Sequence, residues 1–197
     1  MKQTELVYRE ILHRAIERKE FSLTQSEISK KLGISLSIIN LAVKKLESIG
    51  AIRIMQRSFR IIDVKKAIYY WASARNFEKD IIFRARIEIP VREIEKNMPN
   101  IIFTGYSAYK LLFNDVPADY SEIYVYADEQ ELEVIKKRFK EFEEESKNSN
   151  LIVLKKDKLM ESYARITIAQ IFVDLWNMKE WYAKEFINSF EKKLKLV

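Results

Sequence analysis

The 197-residue sequence contains no cysteine, only three glycines and three prolines, and a single histidine, His13. The lack of cysteine removes disulfides, thiolate nucleophiles and thiolate metal sites together. His13 lies in a helix-like stretch and reads as a surface or half-buried side chain rather than a ligand. No P-loop, Gly-x-Gly-x-x-Gly or Gly-x-Ser-x-Gly motif occurs, so the familiar glycine-built phosphate and nucleophile turns are missing. No run of eighteen apolar residues is present, so no transmembrane helix is expected. Met1-Lys2-Gln3-Thr4-Glu5 lacks the apolar stretch of a signal peptide. These absences favour a cytoplasmic protein.

Hydrophobic residues make up 48% and charged residues 32%, the balance of a soluble globular chain of one large or two small domains. The charge is unevenly placed. Residues 1–75 carry 15 Lys and Arg against 7 Asp and Glu, a net of +8, whereas residues 76–197 carry 20 against 22. The overall +6 therefore resides in the first third. Such a block is either a solvated basic surface or the footprint of a polyanion partner.

Helical spacing of Leu6, Leu12, Ala15 and Ile16 predicts a first helix over residues 5–19. A break at Phe21-Ser22-Leu23 precedes Thr24-Gln25-Ser26-Glu27. There Thr24 and Glu27 can satisfy each other's backbone amides in a capping box. The short helix that follows ends at Gly33, which tolerates a left-handed backbone. Ser35 then caps a third helix reaching about Ile49, closed by Gly50. Ile28, Leu32, Ile34, Ile39, Val43, Leu46 and Ile49 can all turn towards one small core. Ala51–Met55 and Arg60–Ile62 read as two strands of a hairpin, with Gln56 to Phe59 as its turn.

The text LTQSEISKKLGISLSIINLAVKKLESIGAI, followed by RSFRI, resembles the winged helix-turn-helix families of bacterial and archaeal repressors, over residues 5–62. The resemblance implies a reader of double-stranded DNA whose longer helix enters the major groove. On that template Leu36, Ser37, Ile38, Asn40, Leu41, Lys44 and Lys45 face the duplex, with Ser35 at the start of the helix. Ser37 and Asn40 can bond base edges, Asn being suited to adenine. Lys44, Lys45, Arg57 and Arg60 would meet phosphates. Thr24 and Gln25, at a helix N-terminus, would hold another phosphate through backbone amides. Leu36, Ile38 and Leu41 depart from the usual polar reading residues; they fit thymine methyls, or a face covered by another protein.

Asp63 is placed to cap a helix from Val64 to about Phe77. Its aromatic content, Tyr69, Tyr70, Trp71 and Phe77, fits either packing between two domains or a homodimer seam.

Beyond it, alternation in residues 81–89 (Phe83, Ala85, Ile87 and Ile89 on one side) predicts a strand. Pro90 starts a helix to about Met98. Ile101–Thr104 is a strand, Gly105-Tyr106-Ser107 turns into a helix, and Ser121–Ala127 is a strand. Asp128 caps a helix to about Glu144, Glu143–Asn150 is a polar loop, and Leu151–Leu154 is a strand. Helices over 170–177 and 180–195 complete the chain. The expected fold class is α+β. It comprises a winged helix with a flanking helix over 1–78 and a mixed α/β domain over 79–197.

Thr104-Gly105-Tyr106-Ser107-Ala108, Tyr120 to Tyr126 and Gln170 to Trp176 resemble the nucleotidyltransferase-like fold, in the degenerate form of AbiEi-type antitoxins and related regulators. Active members place Asp-x-Asp on the strand after a Gly-Ser turn, to hold metal ions. This strand offers Glu122 and Tyr124, and a phenol is a poor Mg²⁺ ligand at neutral pH. Tyr106 crowds the turn, and a third carboxylate could come only from Asp157 or Asp174. The domain therefore reads as a pseudoenzyme with no cofactor; an active nucleotidyltransferase and a toxin-binding antitoxin are the alternatives. Asp174 with Trp176 and Trp181 reads as a domain-closing contact.

Overall fold

The computed structural model describes residues 1–146 and 148–195, and its fold is of the α+β class. The chain divides into two compact units. The first takes Met1–Arg75, Thr167–Val173 and the chain from Phe190 on; the second takes Asn76–Ile166 and Asp174–Ser189. The sequence suggests one cut after residue 78, yet two later segments belong to the first unit. Aromatic side chains draw them there: Phe172 meets Tyr69 at 5.3 Å and Phe190 at 5.6 Å, both edge-on.

In the first unit, helix α1 (Gln3–Glu17) fully buries Val7, Ile11 and Leu12. It packs against α3 (Leu36–Ser48) and α4 (Val64–Ala74). Polar groups pin this packing. The Glu5 carboxylate accepts from Arg75 at 3.2 Å and from the Trp71 indole at 3.4 Å, all three side chains being buried. Tyr70 meets Tyr8 edge-on at 5.6 Å. The aromatic face of α4 is therefore used inside this unit. Helix α4 ends at Ala74 rather than near Phe77, because Arg75 takes an extended backbone.

Between α1 and α3 lies α2 (Gln25–Leu32), opened by the expected capping box: Glu27 N donates to Thr24 Oγ1 at 3.2 Å, and Thr24 N to the Glu27 carboxylate at 3.1 Å. Gly33 stands at φ +64°, where a side chain would be strained. Ser29 Oγ donates to the Ile34 carbonyl at 2.7 Å and ties the bend to the helix before it. Ser35 occupies the N-cap position of α3, but its hydroxyl makes no capping bond, contrary to expectation. After Gly50 (φ +73°), strands β2 (Ile52–Ile54) and β3 (Phe59–Ile61) pair antiparallel, and Met55 N donates to the Ser58 carbonyl across the turn. The segment expected as a break contains a further strand, β1 (Ser22–Leu23), paired with β3 to give the order β1-β3-β2.

The second unit is built on five strands: β4 (Ile81–Ile87), β5 (Ile102–Thr104), β6 (Ile123–Ala127), β7 (Glu143–Glu144) and β8 (Leu151–Lys155), in the order β5-β6-β8-β4-β7. Strands β6 and β8 pair parallel, and the other pairings in this sheet among the described residues are antiparallel. Every residue of β6 is buried, as a central strand covered on both faces requires. Ile123, Val125 and Ala127 enter a core with Ile94 of α5 (Val91–Asn97) and Ile135 and Phe139 of α7 (Glu129–Phe139). Tyr124 and Tyr126 take the other face, on the side of α6 (Gly105–Phe113).

Two expectations fail here. Helix α7 stops at Phe139, the last buried position of its apolar stripe, and tightens into a 3₁₀ turn over Lys140–Phe142. The acidic stretch after it is not all loop, since Glu143 and Glu144 pair with Ile87 and Arg86. Buried Asn150 secures the same region, its side-chain amide exchanging two hydrogen bonds with the Ile87 backbone at 2.8 and 2.9 Å. Helices α8 (Ile168–Trp176) and α9 (Ala183–Leu194) each contribute residues to both units.

Because Arg75 and Glu5 are almost wholly buried, removing Glu5 breaks a charge pair held in a dry site and takes an acceptor from the Trp71 indole as well. Glu5→Ala is expected to lower stability by about 3–5 kcal/mol. The measurement is urea unfolding; an unchanged midpoint would show that the pair contributes nothing net.

Candidate functional site

The rotation of α3 about its axis is set by its apolar positions. Ile39, Ala42, Val43 and Leu46 are completely buried. By helical periodicity Ser37, Asn40, Leu41 and Lys44 turn away from that stripe, and Leu36 stands at its edge in the first turn. These residues, with Ile38 and Gln25, line one shallow depression. Leu36 and Leu41 are 54% and 52% exposed. Ser35, Ser37, Lys44 and Lys45 are exposed too, and Asn40 and Ile38 are half-buried.

Of the nominated residues, Gln25, Ser37, Asn40 and Lys44 line this depression. Thr24 does not. Its hydroxyl and amide are both spent on Glu27, whose carboxylate also brings negative charge to the end of α2 where an anion was expected. Gln25 lines the depression itself.

The hairpin carries the remaining cations. Arg53, on β2, stands directly opposite Arg60, on β3, and both point to the exposed face. Like charges facing each other across a ladder cost stability. Arg57, in the turn, is exposed as well. Among the described residues none of Lys44, Lys45, Arg53, Arg57 and Arg60 has an ion-pair partner. Some cations elsewhere are paired, Arg14 with Glu10, Arg84 with Glu78, Lys110 with Glu95 and Lys156 with Glu131, while others such as Arg18, Lys30, Arg92 and Arg165 resemble the hairpin cations in having no ion-pair partner among the described residues. Arg53 is absent from the residues selected on sequence grounds. Only the strand register, which sets it against Arg60, singles it out.

The second unit contains a cleft lined by Arg84, Arg86, Glu122, Tyr124, Lys179 and Glu180, among others. Glu180 accepts hydrogen bonds from the phenols of Tyr106 (2.9 Å) and Tyr124 (2.8 Å). Glu122 accepts from Tyr182 and from Ser121 Oγ. Burial, and then the adjacent Glu180, push the Glu122 carboxyl above the usual carboxylate range. Burial first and Glu180 second push the Tyr106 and Tyr124 phenols far above theirs. Both phenols therefore act as protonated donors towards Glu180.

The other nominated carboxylates lie elsewhere. Asp174 is completely buried and accepts from Thr104 Oγ1 and Tyr126 OH, both at 2.7 Å. Asp157 accepts from Leu159 N in a turn. Among the described residues no group of three or more His, Asp or Glu is placed to hold a metal ion. At Gly105 (φ +60°) a Cβ would come within 2.2 Å of Met178 Cε, so the Gly-Tyr-Ser turn is packed shut on that side. Trp176 and Trp181 are 44% and 80% exposed, whereas Asp174 is completely buried. His13 is half-buried, its Nδ1 3.0 Å from Glu17 in the next turn.

Compared with known proteins, the chain matches no family model, no curated protein and no solved structure.

A carboxyl whose folded value is raised binds more protons in the folded than in the unfolded chain between the two values. The cost of ionising Glu122 therefore sets in as pH rises through that window and is complete above it. Glu122→Gln keeps an acceptor for Tyr182 and removes the charge. It is expected to raise the urea midpoint at pH 8 and leave it unchanged at pH 4. A variant less stable at pH 8 would contradict this.

Proposed function

We propose that residues 1–75 act as a winged helix-turn-helix domain that binds double-stranded DNA, in a transcription regulator working as a cytoplasmic dimer. The observation that carries this reading is the opposed pair Arg53 and Arg60, with Arg57 in the same hairpin and Lys44 and Lys45 on α3. All five are exposed and none is paired among the described residues. A fold that leaves like charges face to face gains most when a polyanion neutralises them. Further support comes from α3, whose outward face offers Ser37 and Asn40 between cations, the residue types that read base edges.

In this reading α3 lies in the major groove and the hairpin is the wing on the flanking phosphates. Regulation would be by occlusion of a promoter, with two copies on a palindromic site. The copies meet elsewhere than at the aromatic face of α4, since Trp71 is fully buried against Glu5.

The second unit is taken as nucleotidyltransferase-like and without catalytic activity. In support, Glu122 is held by Tyr182, Tyr124 by Glu180, and Asp174 by Thr104 and Tyr126, so the candidate ligand groups are committed to other side chains. Labelled nucleotide incorporated in the presence of Mg²⁺, and lost in Glu122→Gln, would reverse that assignment.

The DNA reading is tested by salt titration of binding to a fluorescent duplex. Lys44→Ala, Arg53→Ala, Arg57→Ala and Arg60→Ala should each weaken binding to any sequence and reduce the slope of log affinity against log salt by about one. Asn40→Ala should leave the slope alone and relax preference at one base pair. A slope near zero for the wild-type chain would refute the reading.

A further inference from the structure

We infer that the outward face of α3 selects A·T base pairs, by seating thymine C5-methyl groups against Leu36 and Leu41 while Asn40 bonds the adenine edge. The inference rests on the DNA-binding reading and assigns its sequence class. Four observations combine. Leu36 and Leu41 lie five positions apart, about 140° around the helix, yet both line the same depression, and half of each residue is open to solvent. Ile38 and Gln25 border the same depression. Asn40 sits between the two leucines, and Ser37 beside Leu36. The patch is edged by Lys44 and Lys45, with hairpin arginines that have no ion-pair partner among the described residues, so its charge suits a polyanion.

Exposed aliphatic side chains on a protein surface need an apolar partner to repay their contact with water. In the major groove of B-DNA the thymine methyl is the one apolar group a base presents. A G·C pair offers acceptors and an amino group at the corresponding places, and these would lose hydration against leucine with nothing in return. Adenine N7 and N6 present the acceptor and donor that the Asn40 amide matches in bidentate fashion. One helix face thus carries two independent preferences for the same base pair, one apolar and one polar. No arginine lies on that face, and the lysines at its edge, Lys44 and Lys45, are assigned to phosphate.

The experiment compares binding of the full chain to three fluorescent duplexes of equal length at one salt concentration. The first has an A·T-only core, the second the same core with every thymine replaced by uracil, and the third a G·C-only core. Uracil keeps every hydrogen-bonding group and removes only the methyl. Burying one methyl corresponds to about fourfold in affinity. The uracil duplex should therefore bind about fifteenfold more weakly if both leucines are engaged. Leu36→Ala with Leu41→Ala should abolish the difference between thymine and uracil. Asn40→Ala should retain that difference while narrowing the gap between the A·T and G·C duplexes. All three positions are exposed or half-buried, so these variants should fold; unfolding midpoints near wild type check this.

Salt-dependent binding that is equal for thymine and uracil duplexes would overturn the inference and leave the DNA reading standing. Failure to bind any duplex would overturn both. If the leucines instead seat a second copy of the chain, Leu36→Ala with Leu41→Ala would dissociate an oligomer in sedimentation and leave uracil discrimination unaltered. That result also overturns the inference.

Discussion

A helix with one apolar stripe can bury only that stripe, and in α3 the stripe is complete. Ile39, Ala42, Val43 and Leu46 have no exposed surface at all. A rotation of even one residue about the axis would carry a β-branched or aliphatic side chain into water, at about 1.5–3 kcal/mol for each one fully lost from the core. The orientation of Ser37, Asn40, Leu41 and Lys44 follows from that cost, without any contact of their own to hold them. Preorganisation of the candidate reading face is thus a by-product of core packing, and the helix needs no ligand to present it.

The position of α3 depends in turn on α1 and α4, and here polar groups add what apolar packing lacks. Apolar contacts between helices tolerate sliding, since one methyl replaces another at little cost. The Glu5 carboxylate does not, because it has to meet both the Trp71 indole and the Arg75 guanidinium. A displaced register would leave buried charges unpaired. The tie at Ser29 Oγ to the Ile34 carbonyl acts likewise on the bend before α3. Together they set where the outward face of α3 lies relative to its neighbours in the first unit.

What could be read in the sequence was what local chemistry dictates. The capping box at Thr24, the cap at Asp128, the helix-ending glycines at 33 and 50 and the stripe of α3 are all signals carried within a few residues, and the structure has each of them. What was not legible needed a distant partner. Ser22–Leu23 has no alternation to announce a strand and becomes one only because β3 lies beside it. Glu143 and Glu144 look like solvated acid, yet extend a sheet edge through Ile87 and Arg86. Arg53 gains interest only from its register opposite Arg60.

The second unit poses the question of why half-buried carboxylates persist in a cleft where cations are close by. Arg84 and Lys179 line that cleft, yet both bond Glu78, and Arg86 bonds Glu88. Glu122 and Glu180 are left to hydroxyl donors: Tyr182 and Ser121 for the first, Tyr106 and Tyr124 for the second. A phenol of raised pKa is a fixed donor, neutral across the physiological range. It can satisfy a carboxylate in a partly dry site without adding a second charge to desolvate. Ring packing holds these donors in place, with Tyr106 stacked on Tyr120 at 5.4 Å and edge-on to Phe186 at 4.9 Å. The cluster therefore converts aromatic burial into acceptor satisfaction.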